Sequence, residues 1–367
     1  MPRPTPLDLL RRHALAAAFP RPTTLPAALA RMGFVQADPI RAPARAQDLI
    51  LRHRVRDYRA GELERRYPRL GIEEGYLHVY GFMRRDLHTL LHPRLDPALP
   101  DGMLVPEGIA ADVLAHVRQR GPTHPAELAA ALGTGRTVNA WGGQSQASTR
   151  ALDLLQHHGL LRVSARRGGI RIYAPTPPRA EAPPPQARLE DLAMVLAGLL
   201  APVPQPTLTG LVAKVARMTI GAQPRPGPVA DLRARGRLAA TQIDATTYLW
   251  PADAAPPAGA PAPTVRFLAP FDPLVWCRRR FEHLWGWEYR FEAYTQAAKR
   301  IRGYYALPLL WGAQVIGWVN AARTPHGLDA RPGFIGMPPD SPDFARAFDA
   351  EVAAMEGFLA ADTEELP

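Results

Sequence analysis

Two proline-dense stretches constrain this chain more than any other feature of its sequence. They run from Pro175 to Gln186 (PTPPRAEAPPPQ) and from Pro251 to Thr264 (PADAAPPAGAPAPT). Each proline lacks a backbone donor and disfavours helix at the residue before it, so both stretches predict extended connectors. They divide the 367 residues into three parts. With 47% hydrophobic and 21% charged residues, each part can bury a core, and wholesale disorder is excluded.

One local plan recurs in the first two parts and is clearest over 108–175. An apolar helix around Ile109 to Val117 leads to Gly121-Pro122-Thr123-His124, a turn, and a short helix with Leu128 and Leu132 on one face. A third helix fits Gln146 to His158, with Ser145 as its cap, Ala147, Ala151, Leu154 and Leu155 inward, and Ser148, Thr149 and Arg150 outward. Leu160 to Val163 and Ile170 to Tyr173 read as strands joined by the basic glycine turn Ser164 to Gly169. Three helices and a basic hairpin make a winged helix.

A second copy spans 189–252, with helices at Leu189 to Leu200, Leu208 to Ala216 and Val229 to Arg235, then alternation through Leu238 to Leu249. A looser copy fits 1–107, with helices at Pro6 to Ala18 and Leu25 to Met32. Connectors occupy 176–188 and 253–264. Aromatics concentrated from Trp276 to Tyr305 and alternation through Gly303 to Asn320 predict a small β module within 265–335, and 336–367 holds a helix over Asp343 to Ala361 and a tail. The expected class is α+β: tandem winged-helix (helix-turn-helix) domains with a C-terminal β-rich module.

Forty-four basic residues against 34 acidic ones leave a net charge of +10, which favours a polyanionic partner. Only Lys214 and Lys299 are lysines; arginine supplies the rest, through nucleotide composition or for phosphate binding. The single cysteine, Cys277, cannot form an intrachain disulfide, and no Cys/His cluster has metal-ligand spacing. No apolar run approaches the ~20 residues of a membrane span. The expectation is a protein of the reducing cytoplasm, without membrane, metal or cofactor.

A winged helix puts a helix in the major groove and its wing on the backbone, so double-stranded DNA is the expected partner. Arg166, Arg167 and Arg171 on the wing would meet phosphates, or else only solvate a hairpin. Gln36 and Asp38, two apart, would leave an extended backbone on one face ~7 Å apart, where an amide and a carboxylate can share a water. Read alone, the pair before Pro39 fits a turn as well.

The segment Val35-Gln36-Ala37-Asp38 resembles the Gln-Φ-Asp motif of the crosslink-repair DNA glycosylases of the YcaQ and AlkZ type, with Arg45-Ala46 following at the family's distance. Glu74-Gly75-Tyr76-Leu77-His78 is similar to the family's Glu-aromatic-aromatic-x-His. Trp141-Gly142-Gly143, Phe267 to Leu274 with Arg278 and Arg280, Trp285 to Arg290, Ala297 to Arg300, Gly303-Tyr304-Tyr305 and Leu307-Pro308 extend the resemblance over roughly 20–325. The departures are Ala37 for a larger apolar residue, Gln47 for His, and Trp318 and Asn320 in place of Arg and Asp.

The resemblance implies hydrolysis of the N-glycosidic bond of N7-alkylguanine and unhooking of interstrand crosslinks joined through that position. It assigns Asp38 to electrostatic stabilisation and water activation and Gln36 to orienting the water or the sugar, with Arg45 and His78 at the lesion or DNA backbone. Phe271 and Asp272 are expected to cap and pack the β module. Few amines are present for a Schiff base, namely Lys214, Lys299 and a trimmed Pro2 terminus, so a monofunctional hydrolase is expected, acting as a nucleoid-associated monomer. The alternative from another class is a non-catalytic winged-helix transcription regulator. A Mg²⁺ nuclease is disfavoured because no acidic cluster is evident.

Overall fold

The computed structural model describes residues 4–96, 98–99, 103–133, 136–138, 144–178, 183–221, 227–254 and 261–360. The chain forms two compact units, each assembled from separate stretches: Met1–Leu63, Met194–Thr209 and Asp231–Pro367 in the first, Glu64–Ala193 and Gly210–Ala230 in the second. Helix and sheet are mixed, as expected.

In the first unit, helix Pro6–Ala18 starts where local chemistry dictates. Thr5 and Asp8 form a reciprocal capping box, and Pro6 occupies the first turn, where its missing N–H costs nothing. Helix Leu25–Met32 has a one-way cap, the Thr24 side chain accepting from the Ala27 N–H, with Pro26 in its first turn, and stops at Gly33, whose φ of 70° turns the chain into the short strand Phe34–Gln36. Leu10, Ala14 and Leu15 join a core with Phe281, Trp285, Trp287, Tyr289 and Leu310.

That core backs the predicted β module, a four-stranded antiparallel sheet in the order Val265–Phe267, Leu307–Trp311, Gln314–Thr324, Gly327–Phe334. Helix Pro342–Leu359 packs on its outer strands and buries Phe344, Met355, Phe358 and Leu359. Trp318 stacks on Trp287 with ring centroids 6.2 Å apart, and Gly333 across the strand pair has no side chain to obstruct the indole. An aromatic pair therefore stands at Trp318, one of the departures from the pattern that the sequence resembles. Strands Val203–Pro204, Thr246–Pro251 and Leu238–Ile243 form a further antiparallel sheet, with the middle strand in sequence at its edge.

In the second unit, helices Ile109–Arg120, Pro125–Leu132 and Ala147–His157 precede the hairpin Leu161–Arg167/Ile170–Pro175, closed by Gly168 and Gly169 at positive φ. Val113, Val117, Leu128, Ala151, Leu155, Leu161 and Val163 are buried in this unit. A second hairpin, Ile72–Tyr76/Tyr80–Arg84, belongs to the same unit.

Four local expectations are corrected. Ser145 lies in a strand, Gln144–Gln146, and Gln146 takes the N-cap position without a side-chain bond. Ser148, expected to face out, is 1% exposed, and Leu154, expected to face in, is 40% exposed. A helix, Pro185–Leu199, begins inside the stretch expected to be extended, because prolines are compatible with a first helical turn. Trp141-Gly142-Gly143 and Pro2 lie outside the described residues.

Candidate active site

The first unit holds Gln36 and Asp38. Buried Phe34 and Val35 anchor the strand, which ends at Gln36; Asp38 lies two residues beyond it, in irregular chain. The Asp38 carboxylate accepts a hydrogen bond from the Ile40 N–H (2.9 Å), an Asx turn consistent with Pro39. The Asp38 N–H donates to Gln47 Oε1 (3.3 Å) from helix Ala46–Leu51. Gln47 therefore holds the backbone under the carboxylate, a task open to it because an amide oxygen accepts.

Burial raises the Asp38 carboxyl above its ordinary value, and the Ile40 N–H offsets part of that rise. The Gln36 Oε1 atom is buried and has no hydrogen-bond partner among the described residues. The Tyr305 hydroxyl, on a side chain 4% exposed, is buried and unpartnered in the same sense. Its phenol is raised well above 10 by burial first and by the Asp38 negative charge second, which places it within electrostatic reach of that carboxylate. A buried polar atom without a partner costs about 1–3 kcal/mol; among the described residues of this unit Gln36 Oε1 and the Tyr305 hydroxyl are two of four such side-chain atoms, with Arg280 Nε and Trp311 Nε1.

Tyr305 is held by neighbours from the same aromatic stretch. Phe291 meets its ring edge-on with centroids 5.2 Å apart, and Tyr289 donates to the Ala306 carbonyl (2.7 Å). Reasoning from the sequence assigned Tyr305 no role, although Gly303-Tyr304-Tyr305 carried part of the resemblance. Asp272 caps helix Pro273–Trp276 and accepts a two-pronged hydrogen bond from Arg54 (2.8 and 3.0 Å), and Phe271 packs on Phe291. Both residues are structural, as expected. Arg45 is half-buried at the start of helix Ala46–Leu51.

The remaining residues expected to contact DNA lie in the second unit. Arg166 does not reach outward; its guanidinium donates to Glu74 (2.8 and 2.6 Å), a carboxylate with no exposed side chain, which requires a cation beside it. Arg171 pairs with Asp153 (3.0 Å) and donates to Gln156 Oε1 (3.2 Å), with its guanidinium over the Tyr80 and Tyr173 rings. His78 is 3% exposed; burial first and Lys214 second push its imidazole down to about 3. Arg167, at the hairpin end, is exposed.

Among the described residues, no group of His, Cys, Asp or Glu could hold a metal ion, and no helix is long and apolar enough to cross a membrane. The arrangement in the first unit is a half-buried carboxylate with two open polar atoms, suited to orienting water against a developing positive charge.

The model of the AlkZ-like DNA glycosylases matches residues 29–358. Among solved structures, the DNA glycosylase AlkZ of Streptomyces sahachiroi is similar over 97% of this chain and 97% of its own, with a TM-score of 0.61 and 14% identity, a likeness of fold. The family match covers Gln36, Asp38 and Tyr305 and decides between an enzyme and a non-catalytic regulator: this chain belongs to the AlkZ-like family of DNA glycosylases.

Proposed function

We propose that this glycosylase hydrolyses the N-glycosidic bond of N7-alkylguanine in double-stranded DNA and, where that base is joined to the other strand, unhooks the crosslink. The observation that carries the reading is the half-buried Asp38 carboxylate with the unpartnered Gln36 Oε1 and Tyr305 hydroxyl in the same unit. N7 alkylation makes the base cationic, so it leaves with the C1′–N9 electron pair as a neutral purine and needs no strong general acid. The residues must then stabilise a sugar with oxocarbenium character and deliver water.

Asp38 supplies the negative charge facing the sugar and takes up the water proton as the C1′–O bond forms. Gln36 accepts from the same water or from the sugar. The products are the alkylated base and an abasic site. Arg45 and exposed Arg167 are the phosphate contacts in this reading, while Arg166 and Arg171 stiffen the hairpin. The segments 1–107, 108–175 and 189–252 act as winged-helix modules that follow the duplex, in a monomer of the cytoplasm associated with the nucleoid.

The test is a duplex with one N7-alkylguanine crosslink, incubated with the protein and resolved after hot alkali. Strand release by wild type, with Asp38→Asn about 10²- to 10⁴-fold slower yet still bound to DNA, supports the proposal. Equal rates for the two proteins would remove Asp38 from the mechanism, and no base release from any N7-alkylguanine substrate would refute the lesion class.

A further inference from the structure

The stretch from Phe291 to Tyr305 combines a pinned backbone with apolar side chains turned to solvent. Glu292 is 6% exposed, and one of its oxygens accepts the N–H groups of Ile301 (3.0 Å), Arg302 (2.8 Å) and Gly303 (3.2 Å). Asn320 donates to the Arg302 carbonyl (2.7 Å), and Arg300 Nε to the Thr295 carbonyl (2.8 Å). Gly303, at φ 124°, makes room for that amide: a Cβ there would lie 2.2 Å from Asn320 Oδ1. Asn320, one of the departures from the family pattern, is suited to this carbonyl because an ionised Asp has no proton to donate.

On this fixed backbone Tyr294 is 83% exposed, Ile301 79% and Tyr304 45%. Large apolar groups on a mobile loop would lose freedom on binding, but here the backbone is ordered before a partner arrives. The surroundings are basic. Lys299 is exposed, and the Arg300 guanidinium lies 5.0 Å from the Tyr304 ring centroid. The next residue, Tyr305, turns inward, and its hydroxyl lies within electrostatic reach of Asp38, Tyr294 and Tyr304 alike. The exposed edge therefore adjoins the candidate catalytic carboxylate. Its positive charge fits a polyanion, and its flat and branched apolar groups fit the faces of bases.

Building on the glycosylase reading above, we propose that Tyr294, Ile301 and Tyr304 form a base-stacking wedge for duplex DNA, with Lys299 and Arg300 on the flanking phosphates. The wedge holds open the base step beside the nucleotide whose sugar meets Asp38.

The test places 2-aminopurine next to one N7-alkylguanine in a duplex and uses Asp38→Asn protein, so that no turnover intervenes. Fluorescence should rise on binding, and adding Ile301→Ala together with Tyr304→Ala should abolish most of the rise. With Asp38 intact, each single substitution should slow single-turnover base release by about 5- to 100-fold. Met337→Ala, which removes another exposed apolar side chain (93%), should change neither reading. Thermal melting of each variant should match wild type, since the altered side chains face solvent. An undiminished fluorescence rise in the Ile301/Tyr304 double variant, or an equal loss in Met337→Ala, would overturn the wedge. If wild type released no base, the glycosylase substrate would be wrong, and the fluorescence arm would still decide the wedge.

Discussion

Arg166 on the hairpin Leu161–Arg167 donates two hydrogen bonds to Glu74, a residue 92 positions earlier whose carboxylate is shut away from solvent. Two features that look separate in the sequence, an acidic-aromatic motif and a basic wing, are thus halves of one ion pair. Burying both charges is costly, and removing Glu74 leaves the Arg166 guanidinium with only the more distant Glu64 carboxylate, 3.7 Å away. The Glu74→Ala protein should lose about 3–5 kcal/mol of stability, read as a lower urea midpoint at unchanged slope. Arg166→Met with Glu74→Leu should recover much of that loss, and a double variant no better than Glu74→Ala would show that the pair is not the source.

The pH dependence of base release should reflect Asp38. Its carboxyl is raised by burial, and the step needs it ionised, so activity is full at high pH and falls as pH drops through the raised value. The acid limb should therefore lie above the ordinary 3.8, and it should be absent from the residual rate of Asp38→Asn. An acid limb at or below 3.8 would contradict the burial of this group. Profiles should be taken on base release itself, since strand cleavage by alkali obscures the pH of the enzymatic step.

Borohydride should trap no covalent protein–DNA adduct. Lys214 Nζ donates to the His78 carbonyl at 2.7 Å, which ties up one of the two lysine amines. Lys299 is on the basic edge, where the proposed role is phosphate contact. An adduct in wild type that disappears in Lys299→Met would convert the monofunctional reading into a lyase.

Buried His78 should make the fold sensitive to acid. Its folded-state value is about 3 against an ordinary 6.5, so below pH 6.5 the unfolded chain takes up a proton that the native state refuses. Stability attributable to this group is fully present above 6.5 and lost as pH falls toward about 3, at up to about 1.4 kcal/mol per pH unit. His78→Gln should flatten that slope in denaturation experiments across the window, even if it lowers stability at neutral pH. An unchanged slope would mean that His78 is protonated in the native state.

Much of the architecture was legible because its causes are local. Thr5, Pro6 and Asp8 announce the first helix within four residues, and Gly168-Gly169 announces a hairpin by requiring positive φ. The alternation from Gly303 to Asn320 likewise betrayed strands Leu307–Trp311 and Gln314–Thr324. The candidate site was legible only where its residues are neighbours, as Gln36 and Asp38 are. The surroundings of Arg166, Arg171 and His78 were not legible in the sequence, because burial and pairing depend on what packs against a side chain and not on hairpin or motif position.

From the sequence alone came several helices and the hairpin that follows the third of them, the charge that favours a polyanion and the Gln-Φ-Asp pair, since propensity, capping and patterning act over a few residues. Tertiary structure alone decided that Tyr305 stands by Asp38, that Gln47 supports the Asp38 backbone, and that Glu74 neutralises Arg166. Desolvation and Coulomb energy depend on distance in space, and chain separation carries no information about either.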